Sequence, residues 1–301
     1  MRPLYPGGIW MLKKERLIPV YKGNGVFGLC WGGDREILLG VTRSSETPIL
    51  AFRLYETVFG TRHTSLPVEY KNYIQAMAAH GCWVWNNKIF VVAAQGDPDA
   101  AICANDDFKE HHVGKVIISN IKIEDDRVII SDSRIWNPFE CDHHHHYNDI
   151  LVNDEYIYLS SFSTCDLNKK YSEKGAVSRF RHDFSLERII TDELDAPHSV
   201  ILLDHHLYVC SSRTSSIISV DLGDKNTCAK LQYKGIDNFI RGLFVTPDYF
   251  LIGLSKSSGR SNSAHLINPL NGILKYNRNT GEALKIAMPS NCDNVYCILA
   301  R

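Results

Sequence analysis

The chain has 301 residues, of which 44% are hydrophobic, so it can bury a sizeable core. Its 33 basic and 34 acidic residues nearly balance, which argues against nucleic acid as a partner, because nucleic-acid-binding domains carry a basic excess or stripe. The first residues lack the apolar run of a signal peptide, and no stretch reaches the roughly 18 consecutive apolar residues of a membrane-spanning helix. These features predict a cytoplasmic chain without a membrane partner.

One sequence unit recurs along the chain. A small or polar residue opens an apolar run, a short polar turn follows, and a second apolar run ends in Ser, Gly or Ala. In chain order, the units begin at Gly28, His80, Asn148, His198, Arg241 and Asn294, and the last unit is cut off by the C-terminus. Successive starts lie roughly 40 to 70 residues apart, which is the length of one four-stranded propeller blade with its loops.

Most units are followed by two further strand-like runs rich in β-branched and aromatic residues. The sequence therefore predicts an all-β fold, a six-bladed β-propeller with four-stranded blades that forms a single domain over residues 1–301. Residues 8–21 resemble outer strands that have no inner strand, so we expect the ring to close by pairing of the N- and C-terminal segments. A β-sandwich and a solenoid are the alternatives, although a sandwich would not repeat at this period.

The later two-thirds of the chain resembles an uncharacterised bacterial propeller family, known as domain of unknown function 4915. The matching segments are His146–Ile150, Tyr156–Phe162, Pro197–Ser199, Val209–Ser212, Phe239–Leu243, Ile252–Ser255, Thr280–Glu282 and Val295–Ile298. The resemblance implies the propeller fold and a site at the mouth of its channel, and it implies no activity. A looser similarity, in the residues that open each blade, is to virginiamycin B lyase, a metal-dependent propeller lyase.

Five of the six unit starts carry polar side chains, namely His80, Asn148, His198, Arg241 and Asn294. In a propeller, the first residue of every inner strand lies at one height around the axis, so these positions converge on one channel mouth. Arg241 offers a permanently charged fork for a carboxylate or phosphate, while Asn148 and Asn294 supply both donors and acceptors. With Asp149 beside Asn148, they predict a site for a polar, anionic or sugar-like small molecule. A water-filled channel plugged by structural polar residues is the alternative.

Three histidines are the candidate metal ligands. His80 and His198 open their units, and His146 lies two residues before Asn148 at the end of a four-histidine run. Such a set suits Zn, Mn, Fe or Ni with positions left open for water and substrate, although no local spacing supports it. His146 and Arg241 are the candidate catalytic residues, and Asn148, Asp149 and Asn294 the candidate substrate-binding residues.

The resulting functional hypothesis is a metal- and histidine-dependent lyase, hydrolase or isomerase acting on a small polar substrate. No nucleotide cofactor is expected, since phosphate-binding and dinucleotide motifs are absent, and no serine-hydrolase elbow is present. The alternative is a non-catalytic propeller that binds a glycan, a peptide or a partner protein. Because an unpaired cation at the mouth would be costly, we expect Arg241 to contact Asp149, Asp293 or an anionic ligand.

Overall fold

The computed structural model describes most of the chain, and within these parts the secondary structure consists of β-strands. The described residues are 6–13, 16–33, 35–42, 44, 47–57, 60–74, 79–93, 114–139, 146–165, 171–172, 174–223, 228–235, 239–255, 271–289 and 294–299. Across these ranges, no helix has the length and apolar character needed to span a membrane.

The strands form antiparallel sheets that follow one another along the chain. The N-terminal hairpin is β1 (Pro6–Lys13) and β2 (Arg16–Asn24). The first sheet is β3 (Val26–Gly32), β4 (Ile37–Thr42), β5 (Ile49–Thr57) and β6 (Gly60–Leu66). The second is β7 (Val68–Lys71), β8 (Ala79–Trp85), β9 (Lys88–Ala93), β10 (Lys115–Ile123) and β11 (Val128–Trp136). In the second sheet, β7 pairs in parallel with the outermost strand, β11.

Three further sheets complete the series. The third is β12 (Tyr147–Val152), β13 (Ile157–Ser161), β16 (Gly175–Phe180) and β17 (Leu186–Leu194), with a small side hairpin of β14 (Thr164–Cys165) and β15 (Tyr171–Ser172). The fourth is β18 (Pro197–Leu203), β19 (His206–Ser211), β20 (Ser216–Asp221) and β21 (Ala229–Lys234). The fifth is β22 (Phe239–Val245), β23 (Tyr249–Ser255), β24 (Gly272–Asn277) and β25 (Ala283–Ala287).

The strand register shows that the repeats seen in the sequence are structurally equivalent. The same position of each unit pairs across its first hairpin: Cys30 with Leu39, Cys82 with Val91, Ile150 with Leu159, Val200 with Val209, and Leu243 with Ile252. The first strands of successive sheets contact each other in the order β3, β8, β12, β18, β22. They therefore line a common axis, and the sheets radiate from it as the blades of a β-propeller.

The hydrophobic core lies between the blades, which explains why the strands are apolar on both faces. One cluster joins Leu39 and Val41 of the first sheet to Val91 and Ile117 of the second. Equivalent clusters join each later pair of neighbouring sheets. Strands β4, β13 and β16 are each buried along their whole length. Radial packing of this kind buries both faces of each sheet without a second layer.

The expectation of six four-stranded blades is wrong, because the described residues form five blades, of which the second has a fifth strand, β7. Between the last and first blades lie the hairpin β1–β2 and the segment 294–299, which contains no strand. Leu12 and Leu17 of the hairpin pack against Val295 and Ile298 of that segment, and these contacts are hydrophobic. The expected strand pairing between the chain termini is therefore not observed in the described residues.

The segment 294–299 nevertheless touches both neighbours of the gap. The amide of Gly242 in β22 donates a hydrogen bond to the carbonyl of Val295 at 3.0 Å. On the other side, the Cys297 thiol lies 3.7 Å from the carbonyl oxygen of Leu29 in β3. The ring of inner strands is thus completed by an irregular segment that links the fifth blade to the first.

Candidate functional site

All five inner strands carry an irregularity in their pairing near the same end. The register shifts lie between Val26 and Gly28, Ala79 and Cys82, Tyr147 and Asp149, His198 and Val200, and Ile240 and Leu243. A β-bulge of this type leaves residues out of the ladder and turns their side chains in a new direction. The repeat therefore places one bulge per blade around the axis, where side chains from all blades converge.

Polar side chains at two of the bulges bond to backbone carbonyls of the next blade. Asn148 Nδ2 donates to the carbonyl of Pro197 at 2.8 Å. Ser199 Oγ donates to the carbonyl of Arg241. These bonds satisfy backbone groups that the bulges leave unpaired, and they tie neighbouring inner strands together at this end of the propeller.

Eight side chains form a closed series of contacts at the bulged end, which we call the collar. The collar consists of Phe27, His80, His146, Phe162, His198, Phe239, Arg241 and Tyr296. Each member contacts the next, and the last contacts the first. Aromatic rings, imidazoles and one guanidinium thus surround the axis at a common height.

On one side of the collar, the rings of the three histidines are arranged around Phe162. The rings of His80 and His146 lie edge to face with centroids 5.0 Å apart. His146 stacks on Phe162 at 4.5 Å and 7°. Phe162 in turn meets His198 edge to face at 5.5 Å. The stack is built locally, because the Phe162 amide donates to the His146 carbonyl at 2.9 Å across the first hairpin of the third blade.

On the other side, Arg241 lies between two aromatic rings. Its Cζ is 4.6 Å from the centroid of Phe239 and 4.6 Å from that of Tyr296. Tyr296 then contacts Phe27 at 4.7 Å, and Phe27 contacts His80 at 6.1 Å, which closes the series. The two rings stabilise the charge of the guanidinium through their negative faces.

Arg241 has partners other than the acidic residues expected from the sequence. Its Nη1 donates a hydrogen bond to Asn294 Oδ1 at 2.8 Å. Asn294 was predicted to bind substrate, and in the structure it fixes the orientation of the guanidinium. The Asp149 carboxylate accepts a hydrogen bond from the Val200 amide, and Asp293 lies outside the described residues.

His198 is the most completely buried imidazole of the collar, with 5% of its surface exposed. Its Nδ1 lies 3.0 Å from the Ala196 carbonyl and 2.8 Å from Ser212 Oγ. Since a carbonyl only accepts, Nδ1 carries the proton and Nε2 carries the lone pair. Burial is the main cause that holds the pKa of His198 well below its ordinary value, and the nearby positive charge of Arg241 lowers it further. This imidazole is neutral at physiological pH.

The neighbouring pair Asn148 and Asp149 also lies at the bulge of the third blade. The Asp149 carboxylate accepts a hydrogen bond from the Val200 amide at 2.9 Å, and burial raises its pKa to about 6. Asn148 is 3% exposed, and its Oδ1 has no hydrogen-bond partner among the described residues. An unsatisfied buried amide oxygen is costly, so this atom is an available acceptor at the site.

The three-histidine metal site expected from the sequence is not assembled in the described residues. No group of three or more His, Cys, Asp or Glu side chains there is placed to hold one metal ion. The reason is visible in the collar, where Phe162 contacts both His146 and His198. Because these donors do not fit a metal, no step of the chemistry below depends on one.

The structure brings His80, His146, His198 and Arg241 into one collar, with Asn148, Asp149 and Asn294 beside it. Four collar members were missed in the sequence: Phe27, Phe162, Phe239 and Tyr296. They stand at different offsets from the start of the repeat, so no repeat position marks them. The one available signal was that Phe239 and Tyr296 each lie two residues from a polar blade start.

Five radial sheets and a ring of side chains at one end of their axis define a β-propeller with a candidate ligand site. The chain belongs to the family described as Domain of unknown function (DUF4915), whose profile matches residues 126–287, more than half of the sequence. No protein of curated function matches the chain.

Solved structures show the same fold at low sequence identity. A gluconolactonase from Xanthomonas campestris is 13% identical with a TM-score of 0.52, over 91% of this chain and 79% of that one. A calcium-binding regucalcin from Agrobacterium tumefaciens is 8% identical with a TM-score of 0.51, over 99% and 82%. A periplasmic gluconolactonase from Pseudomonas aeruginosa is 11% identical with a TM-score of 0.50, over 91% and 73%. At these identities, the likeness is one of fold.

Two expectations change in the light of these matches. The expectation of a cytoplasmic chain is contradicted, because one structure with this fold is a periplasmic protein. The similarity to virginiamycin B lyase is supported by none of the matches described above, whereas the resemblance to the uncharacterised propeller family is confirmed.

Proposed function

We propose that the collar binds a small, anionic, sugar-like ester and hydrolyses it, with a lactone as the preferred substrate. The observation that carries this proposal is the presence in one collar of an oriented cation, Arg241, and a neutral imidazole, His198. A cation that holds negative charge and a base that accepts a proton are the two groups that ester hydrolysis requires.

In the proposed reaction, His198 Nε2 takes a proton from water while the water oxygen attacks the ester carbonyl carbon. The carbonyl electrons move to oxygen, and Arg241 stabilises this negative charge or binds the substrate's own anionic group. When the tetrahedral intermediate collapses, the bond between carbon and ring oxygen breaks. The proton on Nε2 passes to the leaving oxygen, so that the product is a hydroxy acid and His198 is neutral again.

The aromatic members of the collar suit a ring-shaped substrate. The faces of Phe27 and Tyr296 can pack against the apolar C–H groups of a sugar, while Asn148 Oδ1 accepts a hydrogen bond from a hydroxyl. The folds that this propeller resembles include two gluconolactonases. His146, predicted from the sequence as catalytic, is the alternative base.

The test is a panel of sugar lactones, including gluconolactone and 6-phosphogluconolactone, with acid release as the measured signal. We expect His198→Gln to lower kcat/KM by about 100-fold, a typical contribution of a general base. His146→Gln should lower it by less. Absence of hydrolysis by the wild-type protein for every lactone would overturn the hydrolase proposal, and tight binding without turnover would favour the non-catalytic alternative.

A second variant tests the planar geometry of the guanidinium. Arg241→Lys should keep the fold and weaken binding of an anionic lactone about tenfold, or about 1.4 kcal/mol, because an ammonium cannot reproduce a planar, stacked fork. Arg213→Lys is the matched control, since Arg213 is exposed and pairs with Asp195 on the surface at 3.3 Å. Equal loss in both variants would show that Arg241 has no specific role in binding.

A further inference from the structure

A second pocket lies far from the collar, between the third and fourth blades at the opposite end of the inner strands. Its volume is about 380 Å³, which lies in the range of small-ligand sites. Its wall includes the turn that joins β12 to β13 and the turn that joins β18 to β19. The residues that decide its chemistry are Tyr156, Tyr158, Arg179, Arg188, Leu202 and Leu222.

The charges on the wall do not cancel. Arg179 and Arg188 stand directly opposite each other on the paired strands β16 and β17, an arrangement that is unfavourable for like charges. One carboxylate, Glu187, is the counterion of both. Its oxygens accept from Arg179 Nε at 2.6 Å and Nη2 at 2.8 Å, whereas Arg188 Nε is 3.8 Å away. Two guanidinium cations thus share a single negative charge.

The electrostatic environment of Glu187 agrees with this count. The hydrogen bond from Arg179 is the largest cause that lowers the pKa of Glu187, and the charges of Arg188 and Arg181 lower it further. Glu155 also lines the pocket, but its side chain is exposed and its charge is screened by water. The Arg188 Nε atom itself is buried and has no hydrogen-bond partner among the described residues. An anionic group that accepts a hydrogen bond would satisfy this donor.

Part of the wall is apolar. The guanidinium of Arg179 covers one face of Tyr156 at 4.1 Å, which fixes both groups. Leu202 and Leu222 are half-buried and pack against the core between the two blades. A ligand that reached Arg188 would place its uncharged part against these leucines.

We infer that this pocket is a second binding site, for a small molecule that carries one anionic group on an apolar body. The anionic group, a phosphate monoester or a carboxylate, accepts from Arg188, and the apolar part packs on Leu202 and Leu222. The site is independent of the proposed hydrolysis, because it shares no residue with the collar.

Isothermal titration with phenyl phosphate and with benzoate tests the inference and separates the two anions. We expect saturable binding of at least one probe with a Kd below about 10 mM, weakened about tenfold or more in Arg188→Gln. Leu202→Asn should weaken phenyl phosphate binding while leaving the response to inorganic phosphate unchanged. Circular dichroism is the check that both variants are folded.

Arg213→Gln and Arg241→Gln are the controls, because the first removes an exposed arginine elsewhere and the second removes the cation of the collar. Neither should alter binding at the second pocket. The inference is overturned if neither probe saturates, or if Arg241→Gln abolishes binding while Arg188→Gln leaves it intact. The latter result would assign the anion to the collar and would leave the proposed hydrolysis standing.

Discussion

The two ends of the inner strands are built by different means. At one end, β8 joins β9 through Asn86 and Asn87, and both residues have positive φ, of 47° and 56°. The equivalent turn between β18 and β19 is Asp204 and His205, at 47° and 64°. These are two-residue turns of the type that suits the twist of a hairpin, and Asn and Asp tolerate their geometry. At the other end, bulges send side chains across to neighbouring blades.

The difference teaches how the collar is held in this fold. A tight turn is satisfied largely within its own blade, as the bond from the Ile121 amide to the Asn87 carbonyl shows. The bulged end depends on bonds between blades, such as the one from Asn148 to the Pro197 carbonyl, which are 49 residues apart. A ring of such bonds holds side chains from every blade in one geometry, which is what a binding site needs. The following predictions test this division between the two ends.

The largest effect is expected from Gly28→Ala at the bulged end. A Cβ there would lie 2.8 Å from the Cα of Gly81 and 2.9 Å from the Cys82 nitrogen, and both are backbone atoms of the next inner strand. Backbone cannot move aside as a side chain does, so we expect a loss of about 2 to 3 kcal/mol in the free energy of unfolding, measured by urea denaturation.

Gly223→Ala is the matched control at the turn end. Its Cβ would meet only the Asp221 side chain, at 3.3 Å, in an exposed position. We expect a change within about 0.5 kcal/mol. Equal losses in the two variants would show that the bulged end is no more tightly constrained than the turns.

How well the sequence predicts the structure also differs between the turn end and the bulged end. The inner hairpins were predicted from alternating apolar runs and polar turns, which are local signals, and the strand register confirms that the units are equivalent. The prediction of a sixth blade was wrong. Asn294 begins an apolar run that resembles an inner strand, but in the described residues this run belongs to no four-stranded sheet. The aromatic half of the collar was missed, since its members stand at different offsets from the start of the repeat.

An effect of opposite sign and no larger size is expected from the pH dependence of Asp149, at the bulged end. Burial raises the pKa of its carboxyl from 3.8 to about 6. Between about pH 4 and pH 6, the folded chain therefore holds a proton that the unfolded chain has released, and the free energy of unfolding falls as pH rises through this window. Above pH 6 the buried charge costs on the order of 3 kcal/mol.

Asp149→Asn removes this charge and still offers an oxygen to the Val200 amide. We expect the variant to be more stable than wild type by about 2 to 3 kcal/mol at pH 8 and nearly equal at pH 4, measured by urea denaturation at both values. Asp125→Asn, at a fully exposed position, should show neither difference. A variant that is less stable at pH 8 would mean that the carboxylate has a stabilising partner when charged.

The smallest effect is expected at the turn end, where Asn87 has a φ of 56°. An alanine there should cost about 1 kcal/mol, because its Cβ is disfavoured in the left-handed region and it lacks the local hydrogen bonding of asparagine. Glycine should be neutral or slightly stabilising, since Asn-Gly is the preferred pair for this turn. The backbone carbonyl of Asn87 accepts from the Ile121 amide at 2.9 Å, and neither substitution removes that bond. Thermal unfolding of both variants, together with lactone or anion binding at the collar, measures the outcome. Loss of collar binding in Asn87→Ala would show that strain at the turn propagates along β8 to His80, and the two ends would then have to be treated as one coupled unit.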